Sequence, residues 1–165
     1  MKVEFLYSEV INFLTLHYLF SLSSDERATL LFEGGIIDNE SISLSKSQQF
    51  NTEIIALQKI SPLIMNSYLE KEVEGITGNK IKIVDRTDDS ISGEPCAACN
   101  YIVFESADDS FFEICPVCGW QTDVLDVNGY SSLNRSNIKD YRKTDRHKEN
   151  ALMYTDVYKK FNLTS

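Results

Sequence analysis

The stretch EPCAACNYIVFESADDSFFEICPVCGW, residues 94–120, holds all four cysteines of the chain. They form two pairs, Cys96 with Cys99 and Cys115 with Cys118. Each pair has a two-residue gap, and 15 residues lie between the pairs. A two-residue gap lets both thiolates of one tight turn face a single ion. Four thiolates at about 2.3 Å complete a closed tetrahedral shell. The spacing matches a structural zinc pattern, so Cys96, Cys99, Cys115 and Cys118 are expected to hold one zinc per chain. With no open position the metal has no water to activate, and its role is to hold structure. The rival chemistry is a thiol redox pair. It needs no second copy of the motif, and nearby acids would raise rather than lower a thiol pKa.

Those acids are the second chemical feature. Residues 93–134 carry seven acids and no Lys or Arg, while residues 135–165 carry eight bases and four acids. The whole chain has a net charge of -9. Four thiolates around one divalent cation would add a further formal charge of about -2. Such a surface repels phosphate backbones and anionic lipid and favours a basic partner. Glu105, Asp108, Asp109, Asp123 and Asp126 are the candidate contacts, because the turn after the first pair and the stretch past the second can project side chains without disturbing a core. For any one of these acids, solvation of a loop is the commoner role.

Other chemistry is sparse. The two histidines, His17 in LTLHYLF and His147 in DRHKE, read as a core-edge residue and a solvated one. The sequence contains no His-Glu-x-x-His, Gly-x-Ser-x-Gly or phosphate-cradling glycine loop. The acid pairs Asp88–Asp89 and Asp108–Asp109 read as loop solvation, and the expectation is a protein that is not an enzyme. Arg135, Lys139, Arg142, Lys143, Arg146 and Lys148 could in principle meet nucleic acid. More often such a tract is a solvated helix face that neutralises an acidic neighbour.

The elements that must position these groups follow from pattern. Residues 7–21 are apolar on most faces, which predicts a buried helix. In SSDERATLLFEGG, Ser23 and Glu26 form a capping box and Gly34 a stop, which predicts a short second helix. A further helix is expected over SKSQQFNTEIIALQKI. Another should start at Ser61–Pro62 and stop by Gly75. KIKIV, residues 80–84, reads as a strand. Between the cysteine pairs, strands near 101–104 and 111–114 would make a hairpin that returns the second pair to the first. SSLNRSNIKDYRK and HKENALMYTDVYKKF read as helices, the latter with Ala151, Tyr154, Val157, Tyr158 and Phe161 on one stripe. The polar run DRTDDSISGEP suggests a boundary, giving a mainly helical domain over 1–90 and a zinc-binding module over 91–165.

CAACNY followed by FEICPVCGWQTD resembles the bacterial cysteine-rich domain named for its Cys-Pro-Cys-Cys motif. The likeness covers about residues 94–143, and EICPVCGW is its most specific part. Ala97 stands in place of Pro, Ala98 in place of the middle Cys, and Asn100 in place of Gly. The two outer ligands of the first pair remain. The resemblance implies a zinc-ribbon-like fold much more than an activity.

The combined expectation is an α+β protein with a mainly helical N-terminal part and a C-terminal zinc-ribbon β-hairpin flanked by helices. Glu4, Glu9 and His17 interrupt the first apolar run, so no secretory leader and no membrane span are expected. Reduced thiols fit a cytoplasmic location. The function expected is that of an acidic binding protein, an immunity protein that neutralises a basic nuclease toxin. A zinc-ribbon regulator on nucleic acid stands second and a thiol redox protein third.

Overall fold

A computed structural model describes residues 2–39, 41–123, 126 and 128–161. The fold is mixed α+β with small strand pairs, and its N-terminal part is mainly helical. The chain forms two compact units. One comprises residues 1–61 and 73–85, the other residues 62–72 and 86–165.

The first unit opens with β1 (Val3–Phe5), which pairs in parallel with β2 (Ile81–Ile83); Val3 faces Ile81 and Phe5 faces Ile83. The alternation in KIKIV produces β2 as expected, with Ile81 and Ile83 buried and Lys82 exposed. Helix α1 spans Tyr7–Ser21. Its first donors are met by carboxylates: Glu9 Oε2 accepts from Leu6 N at 2.8 Å and Asp85 Oδ1 from Tyr7 N at 2.7 Å. Burial of α1 is narrower than its apolarity suggests. Val10, Leu14 and Leu19 are buried, whereas Phe13, Leu16, Tyr18 and Phe20 are exposed. Phe13 and Val10 line an apolar cleft of about 370 Å³ with Val3, Phe5, Val73 and Ile81.

Helix α2 (Ser24–Glu33) begins with the capping box read from sequence. Ser23 Oγ accepts from Glu26 N at 3.2 Å, and Glu26 Oε2 accepts from Ser23 N at 2.7 Å. Gly34 ends it, its N–H donating to Leu30 O at 2.9 Å. The next segment breaks into α3 (Ile42–Ser45), a 3-10 turn at Gln48–Phe50 and α4 (Asn51–Leu57), shorter than the single helix expected. Arg27 joins these pieces, donating from Nε to Ser45 O at 3.0 Å and from Nη2 to Asn51 Oδ1 at 2.8 Å. Leu19, Leu31, Ile37 and Ile54 form the core beneath.

Helix α5 (Asn66–Thr77) begins four residues later than its proline predicts. The reason is competition for backbone groups. Met65 N donates to Val157 O at 2.9 Å, Ile64 bridges Tyr158, and Arg86 donates to Ile64 O. Residues 64–65 are thus held extended, and Asp88 Oδ1 accepts from Asn66 N where the helix starts. Asp88 therefore caps a helix rather than solvating a loop.

In the second unit β3 (Glu94–Pro95) and β4 (Ile102–Phe104) pair antiparallel with a bulge. Gly93 is required there, since a Cβ would sit 2.5 Å from Phe104 O. Helix α6 is a single turn, Ala107–Ser110. Residues 111–114 form no strand. Phe111 and Ile114 instead make isolated bridges to Thr122 and Gln121, past the second cysteine pair. The expected hairpin therefore does not form between 101–104 and 111–114, and β4 pairs with residues before the first pair. The predicted helix at 131–143 is reduced to α7 (Ile138–Tyr141). Helix α8 spans Asp145–Met153, and the chain after it is turned and then bridged, Tyr158 to Ile64 and Lys160 to Tyr101. Ala151, Tyr154, Val157 and Tyr158 do pack on the core, but Phe161 is exposed. That core is built from β4, the two cysteine turns, Trp120, Ile138 and Tyr141. Among the described residues no helix is long and apolar enough to cross a membrane.

Candidate metal centre

The two cysteine turns are near-copies of one another. Cys96 N donates to Tyr101 O at 2.9 Å, and Asn100 N donates to Cys96 O at 2.9 Å. Nineteen residues on, Cys115 N donates to Trp120 O at 2.8 Å, and Gly119 N to Cys115 O at 2.9 Å. The fifth residue of each turn must be left-handed to close it. Asn100 has φ 61° and Gly119 has φ 77°. Glycine adopts that region freely and asparagine is among the residues that tolerate it best, so Asn100 keeps the turn that the resemblance assigns to Gly.

The result is a buried four-sulfur cluster. Cys96 Sγ lies 3.7 Å from Cys118 Sγ, and Cys99 Sγ lies 3.7 Å from Cys115 Sγ. All four sulfurs fall within 4.8 Å of one another. A tetrahedral ion with bonds of about 2.3 Å to sulfur has edges of about 3.8 Å, so the donor set fits a metal. The 3.7 Å separations are far too long for disulfide bonds, near 2.05 Å, and all four thiols are free. Crowding makes the thiols share protons. Hydrogen bonds from neighbouring sulfurs, Cys115 foremost for Cys96 and Cys118 foremost for Cys115, hold those two below the ordinary thiol range. Cys99 and Cys118 are pushed above it, in both cases chiefly by Cys115.

Groups outside the cysteine pairs bind the turns, among them Arg142 of the basic tract and His147, which was expected to be solvated and is half-buried instead. The Arg142 guanidinium spans the first, donating from Nε to Ala98 O at 2.8 Å and from Nη2 to Ala97 O at 2.6 Å. His147 Nε2 lies 3.3 Å from the same Ala98 O. Tyr141 Oη donates to Cys118 O on the second turn. The Tyr141 ring meets Trp120 edge-on at 5.0 Å and His147 at 5.8 Å. Burial pushes the Tyr141 hydroxyl above the usual phenol range. Trp120 is fully buried, and its Nε1 has no hydrogen-bond partner among the described residues. A signal for this layer existed in the repeat itself: CAACNY and CPVCGW each place an aromatic two residues after the second Cys, and both aromatics are buried.

Residues 94–144 match the family model described as cysteine-rich CPCC. No curated protein and no solved structure matches the chain. The matched segment, under a third of the chain, takes in all four cysteines together with Tyr141 and Arg142. At the position of the motif's middle cysteine, Ala98 is buried and serves through its backbone. Its N–H approaches Cys96 Sγ at 3.4 Å and its carbonyl accepts from Arg142.

The five acids proposed as partner contacts fall into two groups. Glu105, Asp108, Asp109 and Asp126 are exposed. Asp109 Oδ2 accepts from Ser106 Oγ at 2.6 Å within the α6 cap, and Asp126 Oδ1 accepts from Asn128 N at 3.0 Å. Asp123 is half-buried and turned inward, its Oδ2 taking a long hydrogen bond of 3.4 Å from Leu133 N. The Ser131 hydroxyl is the main reason its carboxyl lies below the usual range. Asp123 braces the 131–134 turn.

Proposed function

We propose that this chain is a non-catalytic acidic binding protein, stapled by one structural zinc ion, that acts as an immunity protein against a basic nuclease toxin. The observations that support this best are the buried four-sulfur cluster and, between its two cysteine pairs in the chain, the largely exposed stretch 105–113, which carries acids and no Lys or Arg. Four soft thiolate donors in a tetrahedron favour zinc, and a complete shell leaves the metal no substrate position. When bound, zinc supplies cross-linking of the two turns. The chain's own residues do the rest: Arg142 and Tyr141 hold the turn carbonyls, and Asp108, Asp109, Glu113 and Asp126 are exposed. A nuclease active site must be basic to bind phosphate, so an acidic protein can occupy it and be steered there by charge. The nucleic-acid reading stands second: in its basic tract Arg142 gives two of its five N–H donors to the first turn, and Lys143 pairs with Asp140 at 2.7 Å.

The test has two parts. Protein purified without chelator should contain about one zinc per chain. Expressed beside a toxin encoded next to it, the chain should protect cells and bind the isolated nuclease domain. Absence of metal in folded protein with free thiols defeats the first part, and absence of protection defeats the second.

A further inference from the structure

Between α6 and the second cysteine turn the chain exposes three large apolar side chains in four residues. Phe111 is 40% exposed, Phe112 58% and Ile114 62%. These are not the loose side chains of a slack loop. Phe112 N donates to Thr122 O at 2.8 Å and Gln121 Nε2 donates to Phe112 O at 2.5 Å, so both backbone groups of Phe112 are held. Phe111 N donates to Asp108 O, and Phe111 and Ile114 bridge Thr122 and Gln121. The two rings pack edge-on, 4.4 Å apart. Phe112 itself has φ 67°, a left-handed conformation that is costly for a bulky residue and is kept only where its surroundings impose it. An aromatic pair fixed in this way has little conformational entropy left to lose on binding, as in a preorganised hot spot.

The surroundings indicate what could cover it. In the chain, the exposed Asp108, Asp109 and Glu113 lie within three residues of the two phenylalanines, Glu105 comes just before, and no Lys or Arg occurs anywhere in residues 93–134. A second copy would bring the same acids against these, and an anionic membrane or nucleic acid would be repelled. The surface is complementary to an apolar pocket ringed by Lys and Arg. We infer that Phe111, Phe112 and Ile114 form the anchor of a docking surface for a basic protein partner, with the flanking carboxylates as its rim. This rests on the immunity reading above and names the surface that reading needs: apolar contact for holding, charge for steering.

The experiment uses the full zinc-loaded chain, with the basic nuclease domain encoded beside it as the probe. Phe112→Ser with Ile114→Ser should weaken binding by about thirty-fold or more, mainly through faster dissociation, as for a buried anchor. Zinc content and circular dichroism should not change. A photo-reactive benzoylphenylalanine at position 112, which preserves an aromatic ring, should cross-link to the domain, while one at Phe20 should not. Wild-type-like affinity of the double variant, or no adduct from position 112, overturns the docking surface while protection by the wild type leaves the immunity reading standing. A wild-type chain that neither binds nor protects removes both. Sedimentation showing a dimer that the double variant abolishes, or an adduct at 112 formed with a second copy, assigns the patch to self-association and overturns the inference. Binding to anionic vesicles or a DNA duplex that depends on Phe112 does the same.

Discussion

At the scale of single residues, the four-cysteine cluster, with the zinc proposed for it, and its brace make separable predictions. Cys96→Ser or Cys115→Ser removes one of four ligands, and the three remaining buried thiols no longer close a shell. Zinc measured by elemental analysis should fall from about one per chain to near zero, and the unit containing residues 86–165 should lose its cooperative thermal transition. Arg142→Ala is subtler. It removes two charge-assisted hydrogen bonds to Ala97 O and Ala98 O but no ligand. Zinc stoichiometry should stay near one, while chelator-driven release speeds up by roughly ten-fold, the equivalent of about 1.4 kcal/mol. Arg142→Lys should rescue little, because an ammonium cannot span two carbonyls as the planar fork does. Equal release rates for the wild type and Arg142→Ala would reduce the contact to an ornament of the fold. Asp123 shows why sequence position alone misleads here. It sits in the acidic run yet braces the 131–134 turn, so Asp123→Asn should lower stability where Asp126→Asn does not.

At the scale of elements, local signals were readable wherever they closed locally. The Ser23–Glu26 box starts α2 because both partners lie within one turn, and Ser23→Ala should cost about 1 kcal/mol in urea unfolding. The Glu26 carboxyl is held below its usual value of 4.5, first by the Ser23 hydroxyl. A depressed folded value stabilises the protein above the unfolded pKa, and that contribution is lost as pH falls through the folded one. The gap between the wild type and Ser23→Ala should therefore narrow on acidification below about pH 4.5, and a gap that widens would contradict the sign. The cysteine turns were legible for the same reason, being six-residue motifs that repeat. What could not be read were elements decided by distant partners. Ser61–Pro62 is a good helix start, but Val157 and Tyr158 hold residues 64–65 extended. FFEI has strand composition, yet Phe111 and Ile114 turn to Thr122 and Gln121, and the expected hairpin is replaced by β3 and β4. Continuous apolarity in α1 signalled a helix but not which faces would be covered.

At the scale of the whole molecule, the uneven charge is the property with a consequence in solution. A net charge of -9 acts over roughly a Debye length, about 10 Å at 0.1 M salt, and mainly accelerates encounter with a basic surface. The apolar anchor acts only on contact and is nearly indifferent to salt. The two contributions should therefore separate in kinetics. Association with the basic nuclease domain should slow by about an order of magnitude or more between 50 mM and 500 mM NaCl, while dissociation changes little. Replacing the exposed Asp108, Glu113 and Asp126 by Lys should lower the association rate and flatten its salt dependence, with zinc and fold intact. Asp123 is left unchanged in this variant because altering it would disturb the 131–134 turn as well as the field. Stopped-flow measurements across the salt series distinguish the outcomes. A slope unaltered by reversing three charges would move the working surface away from residues 105–126, and a salt effect confined to dissociation would mean that these carboxylates make buried contacts instead of steering.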